Sequence, residues 1–572
     1  MSRIRRIEIT HFRCIQTFSW TPRSGVNCLI GPGDTGKSAL LDAIEFCLGA
    51  RRNLAFADTD FYKLDVETPI QISLTLGDLD DTLKNLDTYG LYLRGWNAAT
   101  GELLPEPEAG AETVLTLQLT VAGDLEPAWS LYSERAAAQN QSRNLNWADR
   151  IKLAPTRLGV FADHNLSWRR GSILNRLSDE RADPSAELAK AGRDARKAFG
   201  DSAKDQVSGA LAIVKKAAED LGIPVGDVTA MLDAHSVSFS GGTISLHDGD
   251  GVPLRGLGLG STRLLIAGLQ RQAADQASII LVDEVEHGLE PHRIVRLIGS
   301  LGAKEPAAPL QVFMTTHSPV ALRELSADQL YVLRRTATGH EARKIGSHDD
   351  MQSTVRACPE AFLAPSVIVC EGASEIGLVR GLDLYRMDGN KPSIAALGVA
   401  LADGHGDTTF RRANALAALG YRVQVLRDDD KDPDASETAA FAAAGGTVLA
   451  WRNRRALEEE LFASLSDEAV HALVEAAVEN VGEERVDANI KSASSNAMDL
   501  THARAGVTAA TRDVLGKAAK SNAKTRKPGW FKSVTAMEAV GRVIVGPDLA
   551  ASDAGFHAII ERLFAWVDDG GR

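Results

Sequence analysis

The chain has 572 residues, 44% of them hydrophobic and 24% charged, and carries a formal net charge of −13. That length exceeds one core and implies two or three domains, and the composition excludes wholesale disorder. The acidic balance excludes a uniformly basic nucleic-acid binder but leaves room for a local basic groove.

The chain starts Met1-Ser2-Arg3-Ile4-Arg5-Arg6 and runs straight into alternating polar and apolar residues. It lacks the apolar centre of a secretory signal, and no apolar run approaches the roughly 20 residues of a bilayer span. A soluble, cytoplasmic protein without membrane contact is expected. The five cysteines, at 14, 28, 47, 358 and 370, show no C-x-x-C spacing, and buried thiols are expected rather than disulfides or zinc ligands.

Residues 3–9 read as a strand. Residues 26–30 are a short apolar run, and 31–38 read Gly-Pro-Gly-Asp-Thr-Gly-Lys-Ser, which fills every fixed position of G-x-x-x-x-G-K-[ST]. Leu40, Leu41, Ile44 and Leu48 follow at helical spacing. Strand, glycine-rich loop and helix are the context in which this pattern binds nucleotide phosphates. Gly31, Gly33 and Gly36 let backbone N–H groups curl around phosphate oxygens, and the helix N-terminus adds partial positive charge. Lys37 would reach the β- and γ-phosphates of ATP, and the Ser38 hydroxyl would ligate Mg2+. Segments 69–77 and 113–121 alternate with period two and predict antiparallel strands with one wet face, joined through a loop at 94–110.

From 183 to 222 the period changes to helix, with Val207, Leu211, Val214 and Leu221 on one stripe. This is read as an insertion used for dimerisation; the plain alternative is a helix packed on its own domain. Residues 236–254 return to strand character around a Gly241-Gly242 turn. The apolar strand 279–282 ends in Asp283-Glu284. Asp283 would hold Mg2+, and Glu284 would orient or deprotonate the attacking water. A further apolar strand, 312–316, ends in His317, placed to sense the γ-phosphate.

Together these motifs resemble the ABC-type ATPase heads of chromosome-structure and break-repair proteins, over about residues 1–345. The resemblance makes 286–291 the D-loop region and 256–263 the signature motif, with Gly258 at the serine position and Gly260 and Ser261 facing ATP held by a second subunit. It therefore implies a dimer with composite sites. No Q-loop glutamine can be placed.

Beyond residue 360 a new α/β pattern begins. The apolar strand 366–370 ends in Glu371-Gly372-Ala373-Ser374-Glu375, and strand 421–426 ends in Arg427-Asp428-Asp429-Asp430. Carboxylates delivered at strand C-termini are how an open α/β sheet builds a site, and acids this dense call for a divalent cation. Asp428 and Asp430 alternate on an extended segment, and Glu371 and Glu375 share a face if a helix starts after Gly372.

This pair of motifs resembles the Toprim domain, and an ABC head followed by Toprim resembles the OLD (overcoming lysogenization defect) nucleases. The expected fold is multidomain α/β: ATPase parts at 1–170 and 233–345, a helical insertion at 171–232, and a Rossmann-like Toprim domain with a helical extension at 362–572. The resemblance implies that Glu371, Asp428 and Asp430 are catalytic, that Glu375 and Glu458 add Mg2+ or Mn2+ ligands, and that Lys532 stabilises the transition state. The stretch 516–532 has five Lys, one Arg and no acid. Lys524, Arg526 and Lys527 are read as DNA contacts, and Trp530 or Phe531 as a base-stacking platform or a loop anchor. His405, in a turn between the two acidic motifs, is a further phosphate candidate. The implied activity is an ATP-binding DNA endonuclease, homodimeric or homotetrameric, in anti-phage defence beside a helicase or retron component. Two rivals are an SMC- or RecF-like DNA-binding ATPase with a degenerate Toprim module, and a strand-transfer enzyme. The latter needs a catalytic tyrosine, and none of the seven tyrosines has an evident winged-helix context.

Overall fold

The computed structural model describes residues 2–50, 54–159, 166, 172–174, 185–220, 246–251, 253–273, 278–346, 349–520 and 529–570. The chain divides into two compact units. The first comprises Met1–Cys28, Gly36–Ala321 and Thr338–His340; the second comprises Leu29–Thr35, Leu322–Ala337 and Glu341–Arg572.

In the first unit, β1 (Arg3–Phe12) pairs antiparallel with β2 (Ile15–Trp20) and with β4 (Ile70–Gly77), Ile7 lying opposite both Trp20 and Leu74. Between them in sequence lie β3 (Val26–Ile30) and the helix Lys37–Leu48. The antiparallel flank continues through β5 (Leu93–Asn97), β6 (Glu102–Leu104), β7 (Glu112–Val121) and β8 (Pro127–Tyr132), β7 taking β4, β5 and β8 as neighbours. A parallel flank is built from β9 (Thr156–Leu158), β10 (Ile279–Val282) and β11 (Gln311–Thr315), with Ile280 opposite Thr156 and Val312.

Two sequence expectations change here. The segment 94–110 is not all loop, because β5 and β6 form an antiparallel hairpin with Trp96 opposite Leu103. Nor does β4 have a wet face: apart from Gln71, its residues are buried. Its polar side chains are absorbed internally, Thr75 bonding Thr116 at 3.0 Å and Gln118 donating to Ser73 at 3.0 Å. The helical stretch is found as Ser185–Asp220. On it Val207 and Leu211 are half-buried and Val214 is exposed, while Leu221 and the Gly241-Gly242 turn lie outside the described residues. Cys28, Cys47, Cys358 and Cys370 are buried free thiols, and Cys14 is half-buried.

The second unit contains β12 (Leu330–Thr336), the end of β13 (Gly339–Lys344), and a four-stranded parallel sheet. That sheet is formed by β14 (Ser366–Cys370), β15 (Val399–Asp403), β16 (Arg422–Arg427) and β17 (Thr447–Ala450), in the order β15-β14-β16-β17. Each strand is followed by a helix: Ala373–Asp388, Thr409–Ala418, Ala435–Ala443 and Leu457–Ser464. Strands entirely apolar, like Val367-Ile368-Val369 of β14, are what burial on both faces demands. All four strands therefore deliver their C-termini to one edge.

Later helices pack beside this sheet around Trp451, Trp530, Phe531 and Phe556. Trp530 and Phe531 are at most 1% exposed. Trp530 stands edge-on to Phe462 with centroids 5.9 Å apart, and its carbonyl accepts from Asn480 at 2.5 Å. These rings anchor the chain, and neither is available to stack on a base. The helix Ala373–Asp388 meets Val534–Val540 through glycines: a Cβ on Gly381 would lie 2.3 Å from the Glu538 carbonyl oxygen, and one on Gly377 would lie 2.6 Å from that of Val534. Gly381→Val should therefore destabilise this unit by about 2–3 kcal/mol through forced separation of the helices. A urea melt would read this as an earlier transition, and an unchanged midpoint would show that the contact can relax.

Candidate functional site

The nucleotide loop gets its shape from residues that leave the ordinary backbone regions. Gly31 has φ +132°, Gly36 has φ +88° and Asp34 has φ +57°. At Gly31 a Cβ would come 2.8 Å from the Leu333 carbonyl oxygen, and at Gly36 2.9 Å from Cys14 Sγ, so both positions need glycine for torsion and for space. A Cβ on Gly33 meets nothing within 4 Å; there glycine leaves room for an approaching group. The helix Lys37–Leu48 starts at Gly36 without a side-chain cap, and its N-terminal partial charge favours an anion. Lys37 is buried at that N-terminus. Loop, lysine and uncapped helix fit a nucleotide triphosphate.

Asp283, just past the buried strand β10, is held by neutral hydroxyls and one cation. Its Oδ1 accepts from Ser38 Oγ at 3.2 Å and Thr315 Oγ1 at 2.7 Å, and its Oδ2 from Arg157 Nη2 at 3.3 Å. Ser38 and Asp283 thus meet, as a shared Mg2+ would need. Glu284 follows in a left-handed conformation, φ +46°, unusual for a non-glycine residue. Two donors fix this turn. The Glu284 N–H bonds Thr315 Oγ1 at 2.8 Å, and buried Arg263 donates to the carbonyls of Asp283, Glu284 and His287 at 3.1, 3.2 and 2.6 Å. The Glu284 carboxylate is left largely exposed, 3.4 Å from His287. His317 is also exposed, and its backbone N–H donates to Glu286 at 2.7 Å while the Thr316 hydroxyl takes the other Glu286 oxygen at 2.6 Å. Gly260 and Ser261 stand instead at the N-terminus of the helix Leu259–Gln272. A Cβ on Gly260 would meet the Gly288 carbonyl at 2.6 Å, and Ser261 accepts from Arg293 at 3.0 Å. The roles of Thr315, Arg157, Arg263 and Glu286 escaped the sequence reading. Thr315, Arg263 and Glu286 lie inside segments already recognised, whereas Arg157 carries no pattern of its own.

The second cluster forms on the C-terminal edge of the four-stranded sheet. Glu371 follows β14, Asp428 and Asp430 follow β16, and oxygens of all three lie within 4.8 Å of one another. Backbone bonds set them: the Asp428 N–H donates to Glu371 Oε2 at 2.9 Å, and the Leu457 N–H to Asp428 Oδ1 at 2.9 Å. A helix does start after Gly372, and it brings Glu375 inward, 2% exposed. Glu458 sits in the first turn of Leu457–Ser464 and is fully buried, so it is no part of a solvated glutamate face. Lys532 Nζ lies 3.5 Å from Glu458 Oε1, with its side chain 38% exposed. His405 is exposed in a left-handed turn, its ring 3.5 Å from Asp403. Lys524, Arg526 and Lys527 lie outside the described residues.

Electrostatics mark this cluster as strained without a cation. Burial, then the charges of Glu458 and Glu371, push Asp428 up to about 7. Burial, with Asp428 and Glu458 nearby, raises Glu375 far above the ordinary carboxylate range, and burial also raises Glu371. Lys532 feels burial against its charge, but Glu458, Glu375 and Asp428 outweigh it and raise its pKa. Glu375 Oε1 and Glu458 Oε2 are buried without a hydrogen-bond partner. Two orphaned carboxylate oxygens behind a tight triad fit a divalent metal ion, with Glu371, Asp428 and Asp430 as ligands and Glu375 and Glu458 as additional acids.

The folded protein binds the Asp428 proton more tightly than the unfolded chain, whose aspartate titrates near 3.8, so metal-free stability falls as pH rises through this window to about 7. Above it, Asp428→Asn and Glu375→Gln should each raise the metal-free thermal midpoint by about 2–4 °C, as relieving ~1 kcal/mol of repulsion would. Millimolar Mn2+ should raise the wild-type midpoint and leave that of Asp428→Asn nearly unmoved. Scanning calorimetry decides, and lower midpoints for both variants would count against the repulsion.

A sequence model of the family described as "AAA domain, putative AbiEii toxin, Type IV TA system" matches residues 26–323, more than half of the chain. No curated protein matches by sequence. Among solved structures, the chain is similar to an Smc head bound to the C-winged helix domain of ScpA, at 13% identity over 59% of this chain and 97% of that one, with a TM-score of 0.31. It is likewise similar to the SMC head domain from Thermotoga maritima, at 11% identity over 60% and 99% with a TM-score of 0.28. The recombination mediator RecF-ATPrS gives 10% identity over 60% and 98%, with a TM-score of 0.33. With its phosphate loop, Asp283-Glu284 turn and His317 strand end all inside the matched span, the chain belongs to the AAA-domain family of putative AbiEii toxins.

Proposed function

We propose that the protein is an ATP-binding, metal-dependent DNA endonuclease of the OLD type, in which a Toprim-like second unit hydrolyses phosphodiesters and the ATPase head gates it. The observation that carries this reading is the convergence of Glu371, Asp428 and Asp430 at the C-terminal edge of a parallel sheet, with orphaned buried oxygens on Glu375 and Glu458 behind them. A protein that merely holds DNA has no need of such crowding. Glu371, Asp428 and Asp430 would hold divalent cations there, which would supply an activated water and charge to offset that on the leaving oxygen. The protein's own part is to fix the acids through the backbone donors of Asp428 and Leu457, and to present the Lys532 ammonium where negative charge grows on the scissile phosphate. Trp530 and Phe531, locked in the core, hold Lys532 in place.

In this reading ATP bound at Lys37 and Ser38 with Mg2+ is a switch, since phosphodiester hydrolysis is already downhill. The head comprises 1–170 and 233–345, the helical insertion 171–232 serves dimerisation, and 362–572 is the nuclease part. Gly260 and Ser261 then face the nucleotide of a second copy in a homodimer or homotetramer. A role in anti-phage defence beside a helicase or retron component rests on the resemblance to OLD proteins alone. The second reading, a RecF- or SMC-like DNA-binding ATPase with a degenerate Toprim module, is favoured by the family span, which ends at residue 323 before the acidic cluster begins.

A plasmid nicking assay with Mg2+ or Mn2+, with and without ATP, separates the two. Wild type should cut, Asp428→Ala should lose at least about 100-fold in rate, as expected when a metal ligand is lost, and Lys37→Ala should change the response to ATP. No cutting by wild type in either metal would favour the binding-module reading. For the basic stretch, neutralising Lys524, Arg526 and Lys527 together should weaken DNA binding and flatten the slope of log K against log salt by about 2–3. A slope equal to wild type would place the DNA path elsewhere.

A further inference from the structure

Lys520 was not among the residues singled out from the sequence, yet it pairs with the acidic cluster. Its Nζ lies 2.9 Å from Asp430 Oδ2 and 3.2 Å from Glu459 Oε2. Its position is built. It caps the helix Ala509–Ala519, which lies so close to Leu457–Ser464 that a Cβ on Gly516 would meet the Glu459 Cα at 3.0 Å. Past it, the Trp530 N–H donates to the Ala519 carbonyl at 2.9 Å, so the chain returns beside Lys520 just before reaching Lys532. Two ammonium groups thus meet the acids, Lys532 at Glu458 and Lys520 at Asp430.

The two lysines differ in what they would do when a divalent ion arrives. Lys532 pairs with Glu458, behind the triad. Lys520 pairs with Asp430, one of the three carboxylates whose oxygens lie within 4.8 Å of one another, and so shares a ligand with the ion. Two cations on one carboxylate repel, and the divalent ion with several oxygen ligands wins. Lys520 need not lose all its countercharge, because Glu459 remains. The Glu459 carboxylate also accepts from the Ala456 N–H at 2.9 Å, and that bond fixes it as a parking place for the ammonium. With its side chain 30% exposed, a released Lys520 can turn toward a DNA phosphate.

We propose that Lys520 is a resident counter-cation that occupies the Asp430 side of the metal centre, yields it to a divalent ion, and is handed on to a phosphate of the bound DNA backbone. Lys520 is a positioning residue, and this assignment rests on the nuclease reading above.

The test uses the full-length protein, with Mn2+ binding read by calorimetry in the absence of nucleotide and DNA. Lys520→Met should bind Mn2+ about tenfold more tightly than wild type, the factor expected from removing a charged hydrogen-bond competitor. With DNA and saturating Mn2+, the same variant should raise KM for the plasmid severalfold more than it lowers kcat, and Lys520→Arg should restore KM. Lys520→Gln, closer in size and polarity, guards against misfolding of the methionine variant and should show the same tighter binding. Unchanged or weaker Mn2+ binding by both neutral variants, with wild type binding normally, overturns this inference and leaves the nuclease reading intact. No Mn2+ binding and no cutting by wild type overturns both.

Discussion

Carboxylates buried together must be neutralised, and the second unit is arranged around that requirement. A parallel sheet brings every strand end to one edge, so acids placed after β14 and β16 cannot avoid one another. Asp428 is the most constrained of them. It is fixed by the Leu457 N–H on one oxygen, its own N–H is spent on Glu371, and it faces Glu458 and Glu371 at low exposure. In water such a group would ionise freely; here burial and repulsion hold it near neutral pH. The sheet by itself offers no answer. The countercharges come from the helical extension, as Lys532 on Glu458 and Lys520 on Asp430. That extension is therefore part of the site, and its large core, with Trp530 and Phe531 buried beside Lys532, is what gives a flexible lysine a fixed address.

The first unit solves a milder form of the same problem. Asp283 stands near one arginine and two hydroxyls, and hydroxyls can donate to a carboxylate without adding charge. The difficulty there is the backbone. Turning Glu284 outward takes a left-handed torsion, and Thr315 and Arg263 between them hold the residue there by binding its N–H and three neighbouring carbonyls. Arg263 belongs to the segment read as the signature motif. Its burial beneath the Asp283–His287 turn explains why an arginine should close a glycine-rich run, a feature with no reason in the sequence alone.

The motifs were legible because each packs its meaning into a few adjacent residues: the glycine loop, Asp283-Glu284 after an apolar strand, Glu371 and Asp428-x-Asp430 after two more. The helix after Gly372 was legible as a condition, and Glu375 came inward with it. Glu458 was harder. Three consecutive glutamates have one composition, and only helical phase against the sheet decides that Glu458 and Glu460 are buried while Glu459 stays at the margin. The wet face assigned to β4 and the loop at 94–110 failed for a related reason. Threonines and serines that read as solvent-facing can bond to one another inside, and glycine-rich segments can still pair as hairpins. Arg157 left no local trace, and Lys520 showed only as one of several lysines in a basic stretch, since their partners lie more than 100 and about 60–90 residues away in sequence.

The matched family and the acidic cluster fall on different stretches of chain, and that division decides where each conclusion draws its support. The family span stops at residue 323, so it speaks for nucleotide binding and is silent about Glu371, Asp428 and Asp430. The nuclease reading draws on those residues themselves: three converging acids, two orphaned oxygens behind them, and two lysines that a simple solvated loop would have left in water. A degenerate module has no reason to maintain this arrangement, because each buried acid destabilises the fold unless a cation offsets it. The cost of keeping Glu375 and Glu458 buried is thus the strongest physical reason for proposing that a divalent ion belongs in this cluster.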